Sequence, residues 1–87
     1  MGSNASERDA KIANLVSKWN YNAGCLTRVQ EELSDLDRLV QLNPSPERMA
    51  ELLAAYIKLN ERWNKITQYQ YIIEDELIDL DAPGWTS

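Results

Sequence analysis

The chain has 87 residues, nine bases against fourteen acids and a formal net charge of −5, which makes it one small domain near the size at which a single core is only marginally stable. The acidic balance argues against nucleic acid as a partner, because binding to phosphate needs cations that displace counterions. One cysteine excludes an internal disulfide, and without histidine it leaves no ligand set for a zinc site of the usual N/S type.

No apolar run approaches the roughly 20 residues needed to cross a bilayer, and there is no basic stretch followed by an apolar one of the signal-peptide kind. The expectation is a cytoplasmic protein that makes no contact with a membrane. Residues 1–5, Met1-Gly2-Ser3-Asn4-Ala5, read as an expression remnant, which leaves 6–82 as the folded unit.

Helix 1 is expected over about 7–42. Ser6-Glu7-Arg8-Asp9 resembles a capping box with Asp in place of the usual Glu or Gln. From Ile12 onward seam positions recur at alternating spacings of three and four: Leu15, Trp19, Asn22, Leu26, Val29, Leu33, Leu36, Val40. Gly24 falls on the outermost position of this heptad, so the helix is expected to continue through it at a cost of about 1 kcal/mol against Ala. Asn43-Pro44-Ser45-Pro46 then breaks the pattern: a residue before proline avoids the helical region, Ser45 can cap, and Pro46 can open the next helix where no amide is needed.

Helix 2 is expected over about 46–81, with a seam at Met49, Leu52, Tyr56, Leu59, Trp63, Ile66, Gln70, Ile73, Leu77 and Leu80. Ala82-Pro83-Gly84 stops it, and 83–87 reads as a flexible tail. When the chain is folded on itself so that partner numbers add to 92, each seam residue from Val40 back to Ile12 meets one from Leu52 to Leu80. The only polar seam residues, Asn22 and Gln70, meet each other, and a polar seam residue is cheapest where its partner can hydrogen-bond it. The predicted fold is therefore all-α: two long helices in an antiparallel coiled-coil hairpin, roughly 50 Å long at 1.5 Å per residue, paired into a four-helix bundle by dimerisation.

The flanks agree with that register, since Lys18 comes opposite Glu76 and Glu32 opposite Arg62. Charge is also unevenly spread along the chain. Residues 8–42 hold five bases and five acids, whereas Glu74, Asp75, Glu76, Asp79 and Asp81 form an acidic end without one base. An acidic inhibitor that mimics nucleic acid would spread its acids along a face instead.

The two outer sides of the hairpin differ. One carries Lys11, Lys18, Arg28, Glu32, Lys58, Arg62 and their like, and reads as solvated. The other carries small and apolar residues, centred on Val16, Ala23, Leu53, Ile57, Thr67 and Tyr71, with almost no charge along about 60 residues apart from Asp37 and Glu74. Charge depletion marks the cores of interfaces, and a thin hairpin has a second stripe to bury. This side is the predicted partner surface, with a homodimer the simplest occupant.

Chemistry is not indicated. No carboxylate sits beside a candidate nucleophile, a two-helix hairpin supplies no cleft to shift pKa values, and the acidic end lacks the glycine and ligand spacing of a calcium loop. The chain is expected to be no enzyme and to hold no cofactor and no metal. Trp19 and Trp63 read as seam residues and Cys25 as a small flanking one, while Trp85 could dock or stay exposed.

Two segments carry resemblances. Leu77-Ile78-Asp79-Leu80-Asp81 resembles the clathrin-box peptide of endocytic adaptors, which implies an adaptor fragment that binds in extended form. Pro44-Ser45-Pro46 followed by Ala50-Glu51-Leu52-Leu53-Ala54-Ala55-Tyr56 is similar to the turn and second helix of type III secretion needle subunits, with a turn one residue shorter. That likeness implies a small subunit or chaperone of a secretion assembly. The residues themselves point to a non-catalytic module that acts through protein–protein contact.

Overall fold

A computed structural model describes residues 3–85, with side chains from Ser6 onward. Helix α1 spans Ser3–Gln41 and helix α2 spans Pro46–Asp79. They run antiparallel: Arg8 near the start of α1 reaches the Leu80 carbonyl just past α2, and Gln70 reaches Trp19. The molecule measures 68 × 21 × 15 Å with a radius of gyration of 18.9 Å. A globular chain of this length would have about 12 Å, so this is an extended rod.

α1 opens earlier than the Ser6 capping box predicts. Ser6 lies inside the helix, because extending a nucleated helix by a turn through Ala5 and Glu7 costs little. Met1 and Gly2, part of the segment read as an expression remnant, lie outside the described residues. Gly24 sits in unbroken helix, and open space surrounds the place where a Cβ would stand.

The turn is built by three residues with distinct tasks. Asn43 takes a left-handed conformation, φ 53°, which asparagine tolerates better than most residues, and Pro44 prevents any resumption of α1. Ser45 caps α2 by accepting from the Arg48 amide at 3.2 Å, with Pro46 at the first helical position.

α2 ends in a Schellman motif. Asp81 is left-handed at φ 52°, its amide bonds the Ile78 carbonyl at 3.0 Å, and the Ala82 amide bonds Leu77 at 3.0 Å. This motif brings the residue after the left-handed one over the third from the helix end, and Leu77 and Ala82 are both fully buried. Residues 83–85 then depart from the flexible tail expected of them. The Trp85 amide donates to the Ala82 carbonyl at 3.1 Å with Gly84 at φ 83°, the signature of a type II turn with proline at its second position. Thr86 and Ser87 lie outside the described residues.

The core follows the seam. Leu15, Val29, Leu52, Leu59, Gln70, Ile73 and Leu77 are buried, and every one occupies a predicted seam position. Ala82 is the only buried residue from outside it among the described residues. No helix among the described residues is long and apolar enough to cross a membrane.

Candidate interaction surface

The end of the rod away from the proline turn, its closed end, is finished by residues from outside the seam that pack onto seam residues. Trp85 meets Trp19 edge to face, with ring centroids 5.2 Å apart and an interplanar angle of 72°. The Trp19 indole N–H donates to Glu74 Oε1 at 3.1 Å. Around them Ile12, Val16 and Leu80 pack on Leu15, Ile73, Leu77 and Ala82. Arg8 donates through Nε to the Leu80 carbonyl at 2.9 Å and through Nη2 to Asp81 at 3.1 Å, a cation on the carbonyls at the negative end of the α2 dipole.

Gln70 is buried, as its seam position requires, but Asn22 is not its partner. Its Nε2 donates to the Trp19 carbonyl at 3.1 Å, and its Oε1 is buried with no hydrogen-bond partner. The backbone carbonyl is already held in place by α1, whereas an Asn22 amide would have to be ordered first at an entropic cost. Asn22 is half-buried and lines a groove with Ser17, Lys18, Tyr21, Tyr69 and Ile73.

The six residues expected at the partner surface divide into two groups. Val16, Ala23 and Thr67 are half-buried by the hairpin itself, Val16 because it packs on the closed-end core. Leu53, Ile57 and Tyr71 remain 54%, 60% and 63% exposed, and Ile78, on the same side, 40%. Two threonines there are quieter than their chemistry suggests. Thr27 Oγ1 donates to the Ala23 carbonyl at 3.1 Å and Thr67 Oγ1 to Trp63 at 2.7 Å. A hydroxyl bonded back to its own helix can be covered by a partner without stranding its proton.

Sequence reasoning missed a second exposed apolar group. Tyr21, Tyr69 and Ile72 are 71%, 64% and 55% exposed, and Tyr21 and Tyr69 wall the groove beside Lys18 on the side read as merely solvated. Their signal was present in the heptad positions, but the charges around them hid it. The cross-helix ion pairs expected there do not form. Among the described residues the ion pairs are Arg38–Asp35 at 3.9 Å and Arg48–Glu51 at 2.8 Å, each within one helix.

Leu77 is fully buried and Leu80 packs on the core, so offering residues 77–81 as an extended peptide would require the end of α2 to unwind. The left-handed Asn43 and the Ser45 cap are general devices for joining helices and do not favour a secretion subunit. Cys25 is half-buried. No protein-family model, curated protein or solved structure matches this chain.

Proposed function

We propose that the protein is a non-catalytic assembly module whose hairpin pairs with a second copy into a four-helix bundle. The observation that supports this most directly is the stripe of Leu53, Ile57, Tyr71 and Ile78, large side chains left 40–63% exposed along the low-charge side of α2. Accessible surface supports the same reading. The chain exposes 6682 Å², whereas a folded monomer of 10.0 kDa is expected to expose about 5,200 Å². The excess is about 1,500 Å² per protomer, in the range an obligate dimer removes from each partner. Each large side chain so covered contributes on the order of 1.5–3 kcal/mol. The back-bonded threonines lower the cost of covering that side. A lone, half-buried cysteine suits a reducing compartment, so the proposed setting is the cytoplasm.

Light scattering at high micromolar concentration tests the reading, with twice the chain mass as the expected result. Charged substitutions, Ile57→Glu or Ala23→Glu, dissociate the dimer, while Lys58→Glu and Arg28→Glu on the opposite side do not. A stable monomer of the unaltered chain overturns self-association.

A further inference from the structure

We propose that the two copies pack α2 against α2 of the partner in antiparallel orientation, with Asn64 at the two-fold axis. This rests on the dimer reading above and adds an orientation to it. Two hairpins stacked through one side can be related by a two-fold axis along the rod or by one across it. The axis along the rod brings the two closed ends together; the axis across it sends them to opposite ends of the assembly.

Charge separates these choices. Residues 22–65, the turn half, carry six bases and seven acids; residues 6–21 and 66–81, the closed half, carry three bases and seven acids. The halves are therefore −1 and −4. An axis along the rod stacks −4 on −4 within about one Debye length, where repulsion between charges is not screened out. An axis across it sets each −4 half beside a −1 half. The same arrangement lays the acidic end of α2, Glu74 to Asp81, along residues 47–54 of the partner's helix, where Arg48 stands with Glu47 and Glu51, instead of beside a second acidic end.

The position of the axis follows from the spacing of the exposed stripe. Ile57 and Tyr71 lie seven residues on either side of Asn64, and Ala50 and Ile78 lie fourteen. Two turns of helix bring a residue back to nearly the same face, so an axis at Asn64 sets Ile57 on Tyr71 of the partner and Ala50 on Ile78. The exposed Asn64 side chain carries both a donor and an acceptor and can satisfy its own symmetry mate.

The ends agree as well. Eighteen residues before Asn64 is Pro46, where α2 begins, and eighteen residues after it is Ala82, where the Trp85 turn begins. The partner's helix therefore stops where that turn begins, and the two abut instead of colliding. An axis along the rod would press one Trp85 turn toward the other.

The test uses the full chain with Cys25→Ser as background. Asn64→Cys is expected to yield a disulfide-linked or short-bismaleimide-linked dimer under mild conditions. A mixture of Ala50→Cys and Ile78→Cys chains is expected to cross-link to each other, and Ile78→Cys alone is expected not to. Light scattering on the same samples reports mass independently. A dimer by mass in which Asn64→Cys stays unlinked, or in which Ile78→Cys links to itself, overturns the orientation and leaves the dimer standing. A monomer by mass overturns both.

Discussion

At the closed end, Leu15, Ile73 and Leu77 are roofed by Ala82 and by Trp85 against Trp19; toward the turn, Leu39, Val40, Leu53 and Tyr56 have no such roof and remain open. Both regions are built on the same heptad. Val29, Leu52 and Leu59 show that facing stripes can bury themselves wherever they meet. What the closed end adds is a third layer, made from four residues of turn. Two helices alone hide only the stripe between them, and anything broader needs another element. At one end the chain supplies that element itself. Along the rest of the low-charge side it does not.

The largest effect should come from opposing truncations at the two ends. Leu77→Ala removes a fully buried side chain and should cost about 2–5 kcal/mol. Leu53→Ala, measured below the concentration of self-association, should stay within about 0.5 kcal/mol. Urea denaturation followed by circular dichroism reads both, and equal losses would erase the distinction between the ends.

Next in size is the roof itself. Trp85→Ala removes the edge-to-face pair, worth about 0.5–1.5 kcal/mol beyond the area it covers, and should also shift the Trp19 fluorescence as its indole gains solvent. Gly84→Ala strains a positive φ and should weaken the same contact more mildly. If both variants keep the parent urea midpoint, the third layer contributes nothing.

The smallest effect has the opposite sign. Gln70→Leu removes a buried carbonyl oxygen without a partner, a group that costs about 1–3 kcal/mol, and forfeits one bond to the Trp19 carbonyl. The net should be a gain of about 1 kcal/mol. Asn22→Leu, half-buried beside the groove, should change less. A loss of stability in Gln70→Leu would mean that its single bond outweighs the stranded oxygen.

The hairpin was legible because its signal is periodic. A seam read at spacings of three and four named seven of the eight residues buried among those described, and the turn residues declared their tasks by type. What stayed hidden depended on geometry that no spacing encodes. Ala82 is buried because a left-handed Asp81 folds it over Leu77, and Trp85 returns to Trp19 because Pro83 and Gly84 set a tight turn. The match of Asn22 with Gln70 was sound as arithmetic, but a rigid carbonyl one turn away is the easier acceptor. On the surface, counting charges located Leu53, Ile57 and Tyr71 and passed over Tyr21, Tyr69 and Ile72, because neighbouring charge says nothing about how far a ring protrudes.

The bond from Arg8 to the Leu80 carbonyl joins groups 72 residues apart in the chain, whereas the Ser45 cap joins groups three apart. Local closure is entropically cheap, and contacts between distant residues must wait for it. Folding should therefore begin at the proline turn and travel along the rod, reaching Trp85 last. Contacts made after the folding barrier act on the rate of opening and leave the rate of closing unchanged. The Trp85 roof should thus act as the brake on unfolding, and the turn end should set the speed of folding.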